Sequence, residues 1–152
     1  MQDWNMEKTE LIKFLHEVFK PLSFKKKNNT WSIDNGVLIK KLELQKSYFG
    51  NYYYLNYGII FKGLDYNDVR THVYKRLAGA TKEENKEINS LLNLDHRFFE
   101  IERKDKLQFY INDKIINYFN RMNNEEDVKI DLKDSSFLDM VTVTVRKYLQ
   151  LD

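Results

Sequence analysis

Two neighbouring stretches of the chain alternate in side-chain character, and this alternation constrains the fold more than any other feature. In residues 37–47 the leucines fall on one side of an extended backbone, and in residues 52–62 every second residue from Tyr53 onward is apolar or aromatic. Successive side chains of a β-strand point to opposite faces, so each stretch predicts a half-buried strand. Asn35-Gly36 precedes the first stretch and Gly50-Asn51 separates the two. Both pairs favour the tight turns of hairpins, so an antiparallel sheet is expected.

Shorter segments extend this sheet and add a helix before it. Residues 6–20 carry apolar side chains at helical spacing, with Asn5 as the expected N-cap. The helix should end at Pro21, because the residue before a proline is displaced from helical geometry. Polar turns join three further segments of strand character, at 22–27, 30–34 and 70–77. Together these segments predict an antiparallel meander.

The second half of the chain has helical patterns. Thr81 and Glu84 form a capping box that opens one helix. Residues 98–122 repeat apolar side chains at helical spacing and predict a long helix. Ser136 begins a second capping-box pattern before a terminal helix, but Val and Thr alternate in residues 141–145, so a strand is an alternative there.

The expected fold class is α+β in a single domain of residues 1–152. Residues 128–132 predict a short edge strand or a loop between the last two helices. The complete expectation is an N-terminal helix, a four- to five-strand antiparallel meander sheet and then about three helices packed on one face of the sheet.

Composition and motifs exclude several classes of protein. The chain has no cysteine, which excludes disulfides and thiol catalysis. No apolar run reaches the roughly 20 residues of a membrane span, and the first residues lack the basic and apolar regions of a secretory signal. We therefore expect a cytoplasmic protein. Abundant Lys, Asn, Ile, Tyr and Phe beside only two alanines favour a bacterial source with a low GC content.

Motifs for a metal, a cofactor or a nucleophile are absent from the sequence. The three histidines, His16, His72 and His96, are far apart and form no His-rich motif. The five glycines form no phosphate-binding loop. We therefore predict no catalytic residue, no metal and no cofactor, and whether the chain is an enzyme stays open.

Charge is unevenly distributed along the chain. The whole chain has a net charge of +2, whereas the segment 20–62 has eight lysines and two acidic residues, a net charge of +6. Such a basic segment can bind an anionic partner such as a nucleic acid. The alternative is that lysines on the solvent side of strands oppose edge-to-edge pairing of sheets.

Polar and aromatic residues occupy the strand positions opposite the apolar face. If the strands align, the second face of the sheet carries Gln45, Asn56, His72, Tyr74 and Arg76, with Tyr52 and Tyr54 beside them. His72, Tyr74 and Arg76 would supply a general base, a phenol and a cation, or they would form an ordinary solvated surface. Tyrosines beyond the needs of the core are typical of protein interfaces, and beside lysines they can also stack on nucleic-acid bases.

Three short runs resemble a bacterial family with no established activity, domain of unknown function 4304. These runs are Leu22–Lys27, Leu42–Ser47 and Leu55–Ile59, and the helix around Leu91-Leu92 is also similar. Ser23 stands where the family often has glycine. The resemblance covers nearly the whole chain. It also points to six polar positions to test for binding: Gln45, Lys46, Ser47, Asn56, Arg76 and Arg103.

Three functions are compatible with these observations. The first is a non-enzymatic bacterial binding protein with a protein partner, in an immunity or adaptor role, since small domains without catalytic motifs are typical of such roles. The second is a small-ligand-binding protein or an enzyme that uses the polar sheet face. The third is nucleic-acid binding through the basic segment 20–62.

The nucleic-acid alternative leads to a direct test. We expect no binding of single- or double-stranded oligonucleotides in an anisotropy titration, even at low salt. Binding that weakens steeply between low and physiological salt would instead support a nucleic-acid function, because each phosphate contact releases counterions.

Overall fold

The computed structural model describes residues 3–4, 6–65, 71–134 and 141–151. Its strands are β1 Asp3–Trp4, β2 Lys25–Lys27, β3 Thr30–Asp34, β4 Leu38–Lys46, β5 Tyr53–Phe61, β6 Val73–Arg76 and β7 Phe98–Phe99. Its α-helices are α1 Lys8–Phe19, α2 Lys82–Leu92, α3 Glu100–Tyr110, α4 Asn117–Arg121, α5 Glu125–Lys133 and α6 Val143–Leu149. A 3₁₀ turn, Lys20–Leu22, follows α1, and a π-helical segment, Ile111–Ile116, joins α3 to α4.

The expected antiparallel meander is confirmed. Strands β2 to β6 form one five-stranded sheet in chain order, and β1 pairs with β7 in a separate two-stranded sheet. In the central pair Leu42 lies opposite Tyr57 and Gln45 opposite Tyr54, so the alternation seen in the sequence sets the register. The inner face is buried along three strands: Trp31, Leu38, Leu42, Leu44, Tyr53, Leu55, Tyr57, Ile59 and Phe61.

Helices cover this inner face, as expected for the α+β class. Aromatic rings make several of the contacts: Phe24 packs against Phe119 with 5.6 Å between ring centroids, and Tyr57 packs against Tyr118, also at 5.6 Å. All four side chains are buried, and aromatic packing of this kind dominates the energetics of small cores. Within the described residues, no helix is both long and apolar enough to cross a membrane.

The chain reversal after α1 differs in detail from the expectation. Lys20 keeps helical angles (φ −58°, ψ −45°), so Pro21 does not end the helix by displacing the residue before it. Pro21 lies in the first turn of the 3₁₀ segment instead, where a missing backbone N–H costs nothing. The chain then reverses at Ser23, which has the left-handed φ of +71°. This conformation gives a physical reason for the glycine that the resembling family often has there.

The start of α1 is also shifted from the expectation. Glu7 is the N-cap, and its backbone N–H donates to the carboxylate of Glu10 at 3.1 Å. Asn5, the expected cap, lies outside the described residues.

The helices of the second half largely follow their sequence signals. The hydroxyl of Thr81 accepts the N–H of Glu84 at 3.1 Å and caps α2. The predicted long helix runs from Glu100 to Arg121 but contains the π segment. In an α-helix, a residue lies about 40° further around the helix axis than the residue four positions before it. A wider π turn reduces this angle, which keeps Ile111 and Ile115 on the core.

The expected edge strand or loop at residues 128–132 is wrong, because this segment belongs to α5. Asn124 caps the helix by accepting the N–H of Asp127 at 2.9 Å, and three acidic residues fill the first turn, where the helix dipole favours them. Val128 and Leu132 are buried on one side, while Ile130 is 51% exposed. The spacing of four was the helical signal, and the alternation around Ile130 was misleading.

The alternating segment 141–145 is helical from Val143 onward, so the terminal helix and not the strand alternative is correct. The hydroxyl of Thr142 caps it by accepting the N–H of Val145 at 3.3 Å. The capping-box pattern at Ser136 lies outside the described residues.

The left-handed residue after α1 leads to a stability prediction. Ser23→Gly should raise the free energy of unfolding by about 0.5–1 kcal/mol, because relief of the left-handed strain exceeds the entropic cost of glycine. Urea denaturation followed by circular dichroism measures this change. As a control, Asn28→Gly, also at positive φ (56°), should gain less, since asparagine tolerates this region. A loss of stability in Ser23→Gly would contradict the explanation.

Candidate functional site

Three polar side chains meet on the outer face of the sheet. Register places Asn56 of β5 opposite Arg76 of β6. The amide of Asn56 donates to Oε1 of Gln45 at 2.6 Å, and Oδ1 of Asn56 accepts from Nε of Arg76 at 2.9 Å. Arg76 also donates from Nη2 to Oε1 of Gln45 at 3.2 Å. Asn56 is only 2% exposed, so its carboxamide is fixed between its two partners.

An aromatic ring completes the arrangement around Arg76. The guanidinium carbon lies 3.9 Å from the centroid of the Tyr54 ring, a distance typical of a cation–π stack. The Tyr54 ring in turn meets the Tyr52 ring edge-on, with centroids 5.9 Å apart. We call Gln45, Tyr54 and Asn56, with the Arg76 they hold, the arginine clamp.

The turn of the hairpin between β4 and β5 carries two adjacent aromatic side chains that are exposed to solvent. Tyr48 is 96% exposed and Phe49 is 90% exposed. We call residues 47–52 the hairpin tip. Large apolar side chains usually lose water on folding, so two adjacent aromatics that remain in solvent need an explanation outside the core.

Several hydrogen bonds hold the backbone of the hairpin tip, although its two aromatic side chains are exposed. The buried hydroxyl of Ser47 accepts the N–H of Phe49 at 3.1 Å, and the N–H of Ser47 donates to the carbonyl of Tyr52 at 2.9 Å. Lys46 donates to the carbonyls of Ser47 and Gly50 at 3.3 and 3.1 Å. A β-carbon on Gly50 would lie 3.0 Å from the Tyr52 ring, so the ring packs closely over this turn.

A second segment fastens the hairpin tip from the side. The N–H of Leu94 donates to the carbonyl of Asn51 at 2.9 Å, and the Asn51 amide donates to Asp95 at 3.0 Å. Tyr52 forms an isolated antiparallel bridge with Asn93. The loop that follows α2 therefore supports the residues that present Tyr48 and Phe49.

Arg103 holds that loop in place. Its side chain is 1% exposed, and its guanidinium donates to the carbonyls of Leu91, Asn93 and His96. The ring of Phe98 lies 4.9 Å from its guanidinium carbon. Burial lowers the pKa of Arg103, and the carbonyls at the C-terminal end of α2 offset the cost of burying its charge. Arg103 thus binds backbone carbonyls inside the protein and is not exposed at the surface.

A family model described as a domain of unknown function, DUF4304, matches residues 15–124. The chain belongs to the DUF4304 family. The match includes the arginine clamp, the hairpin tip and Arg103. No curated protein and no solved structure matches the chain.

His72 of this DUF4304 domain is not part of the arginine clamp. Its Nδ1 accepts the backbone N–H of Phe61 at 2.9 Å, and its Nε2 lies 2.9 Å from the carbonyl of Asp65. The imidazole also stacks on the Phe61 ring, with 5.6 Å between centroids. Because β6 begins only at Val73, no residue of that strand accepts the N–H of Phe61. The imidazole of His72 accepts it instead. Both ring nitrogens are engaged with backbone, so His72 has a structural role.

Tyr74 lies on the outer face, half-exposed at 47%. It borders a groove of about 750 Å³ beside the edge strand β6. The groove is also lined by Tyr57, Thr71, Lys75 and Leu132. The Thr71 hydroxyl is buried and has no hydrogen-bond partner among the described residues.

The lysines of the basic segment 20–62 are dispersed over the fold. Lys62 pairs with Asp34 at 2.8 Å, and burial lowers the pKa of Lys40. The exposed lysines of β2 lie at the opposite edge of the sheet from Arg76. Four strand spacings separate these edges, or about 19 Å. The lysines of β2 therefore do not adjoin the clamp, and Lys41 lies on β4 between the two edges.

Sequence reasoning did not name Phe49, and it considered Tyr48 only as one of the tyrosines of residues 48–57. The signal of Tyr48 and Phe49 is visible in the sequence: two consecutive aromatics stand in a predicted turn, beyond the alternation of either strand. It was obscured by the neighbouring tyrosines, of which Tyr53 and Tyr57 are buried in the core.

The role of Arg103 can be tested by a conservative substitution. Arg103→Lys should lower the free energy of unfolding by about 2–4 kcal/mol, because a single ammonium cannot satisfy three diverging carbonyls. Amide hydrogen exchange at Leu94 should accelerate as the loop loosens.

Arg121→Lys is the matched control, because the Arg121 side chain is 63% exposed and makes one weak ion pair at 3.7 Å. This variant should change stability by no more than about 0.5 kcal/mol. Equal effects of the two substitutions would show that burial of Arg103 has no special importance.

Proposed function

We propose that this DUF4304 domain is a non-enzymatic binding protein of the bacterial cytoplasm, with a protein partner and an immunity- or adaptor-like role. The observation that carries the proposal is the pair of aromatic side chains, Tyr48 and Phe49, held in solvent by a rigid turn. Aromatic residues of this kind are the usual anchors of protein interfaces.

Preorganisation of the hairpin tip supports a recognition role. The contacts of Lys46, Ser47 and Asn51 fix the turn before any partner arrives. A rigid loop loses little conformational entropy on binding, so more of the contact energy is available for affinity. An aromatic pair exposed without such support would suggest only an irregular loop.

The neighbouring charges support a partner with acidic residues. Lys46 bonds to the turn that presents the aromatic residues, and Arg76 lies beside Tyr54 on the outer face. A partner with an apolar pocket for Phe49 and acidic residues around that pocket matches these groups. Complementary charge at the rim increases specificity and the rate of association. A nucleic acid fits less well, because its affinity depends on many phosphate contacts, and the lysines of β2 lie about 19 Å from Arg76.

The groove beside β6 supports a second candidate function, the binding of a small ligand. Its volume of about 750 Å³ falls within the range of ligand pockets, and the buried hydroxyl of Thr71 offers a polar contact. A ligand in this groove would not touch the hairpin tip, so substitutions at Tyr48 and Phe49 separate the two functions.

The hairpin tip leads to a cross-linking prediction. A photo-reactive phenylalanine analogue at position 49, in cells of the source organism, should form one predominant adduct with another protein. The same analogue at Phe109, which is 64% exposed on α3, should not form that adduct. Once mass spectrometry has identified the partner, Phe49→Ala should weaken its binding to the purified protein at least tenfold, since interface anchors contribute about 2 kcal/mol or more.

Stability is the control for this experiment. Phe49→Ala should shift the free energy of unfolding by no more than about 0.5 kcal/mol, because the ring buries almost nothing. The proposal fails if Phe49→Ala binds the purified partner as tightly as the original chain does. An adduct between two copies of the chain, together with dimers in sedimentation, would replace the proposed partner by self-association.

A further inference from the structure

Arg76 keeps one of its hydrogen-bonding edges free. Nε and Nη2 lie on the same edge of a guanidinium, and both donate to the amide oxygens of the clamp, at 2.9 Å to Asn56 and 3.2 Å to Gln45. The opposite edge, formed by Nη1 and the second hydrogen of Nη2, makes no hydrogen bond or ion pair with the described residues. A carboxylate matches two parallel N–H groups in spacing and charge.

We propose that the arginine clamp is a receptor for a carboxylate, supplied by an aspartate or glutamate of the protein partner. This inference rests on the proposed function, because it assigns one contact within the same interface. The clamp adds a charged, directional contact to the apolar contacts of the hairpin tip.

The clamp fixes the guanidinium before a ligand arrives. The Asn56 amide is immobilised by the sheet and by Gln45, and the flat face of the guanidinium lies against Tyr54. An arginine on a surface normally loses rotamer freedom when it binds. Here the amide bonds and the ring have already restricted the side chain, so the free edge is presented at low further cost.

The oxygens around Arg76 belong to neutral amides. Gln45 and Asn56 satisfy N–H groups without neutralising the positive charge, and no carboxylate among the described residues pairs with Arg76. A structural arginine on a surface commonly pairs with an acidic neighbour, as Arg121 does with Asp131 at 3.7 Å. The retained charge and the free edge of this exposed side chain together favour an external anion.

Position connects the clamp to the hairpin tip. Tyr54 contacts both Arg76 and Tyr52, and Tyr52 is the last residue of the tip. Two residues along a strand span about 7 Å. One partner surface can therefore reach the tip aromatics and the free edge of Arg76 at once. A nucleic-acid phosphate is the less suitable anion, since Lys75, the other cation of β6, is paired with Asp131 at 3.4 Å.

The free protein allows a test that does not need the partner. Benzoate, phenyl phosphate and the neutral isostere benzamide are titrated separately while the Nε–Hε signal of Arg76 is followed by nuclear magnetic resonance. We expect a saturable shift with benzoate and at least about tenfold weaker binding of benzamide, because only the anion forms charge-assisted bonds. Phenyl phosphate should bind no more tightly than benzoate.

Two substitutions test the clamp itself. Gln45→Ala removes one support from a partly exposed position and should weaken benzoate binding at least about threefold, through loss of preorganisation. Arg76→Lys keeps the charge but loses the planar fork and should bind benzoate more weakly than the original chain. The Nε–Hε signal of Arg121, which has no amide clamp, is the internal control and should not saturate in the same range.

Three results would overturn the inference: equal binding of benzamide and benzoate, tighter binding of phenyl phosphate, or unchanged benzoate affinity in both variants. The outcome is separable from that of the cross-linking experiment. If Phe49 forms no adduct while benzoate still binds, the protein partner is refuted and the clamp remains a carboxylate site without a protein source. An adduct at Phe49 without benzoate binding would refute only the carboxylate receptor.

Discussion

The buried guanidinium of Arg103 is the contact on which the geometry of the hairpin tip depends. It binds the carbonyls at the end of α2 and in the following loop, and that loop bonds to Asn51 and Tyr52 of the hairpin tip. A buried cation is costly unless oxygen atoms surround it, so the loop and Arg103 have to fold together. The charge that stabilises this corner thus also positions Tyr48 and Phe49, which Arg103 does not touch directly.

The two faces of the sheet have different roles. One face buries leucines and aromatics under the helices, and the other holds the amide network that orients Arg76. Antiparallel sheets commonly have one covered and one solvated face. In this domain the outer face has one nearly inaccessible amide, Asn56, at its centre, so a polar residue there organises its neighbours instead of merely being solvated.

Part of the candidate site was predictable from strand parity. Gln45, Asn56 and Arg76 lie on three neighbouring strands, each at a position whose side chain points away from the apolar face. Antiparallel pairing therefore brings the three side chains onto one face of the sheet. His72 and Arg103 were named as candidates too, but their side chains bond to backbone of the chain itself. Residue type alone cannot separate these cases, because imidazole and guanidinium groups serve recognition and internal hydrogen bonding with the same atoms.

The sequence by itself determined the strands β2 to β6, the turns between β2 and β5 and the start of α2, because side-chain alternation, turn residues and a capping hydroxyl act over only a few residues. It did not determine α5, where a spacing of four competed with an alternating pattern. Tertiary structure alone decided which polar groups are buried, which arginine keeps a free edge and which aromatics remain in solvent. Those properties depend on contacts between segments as distant as Gln45 and Arg76 or Asn51 and Leu94, and no local pattern encodes the distance between them.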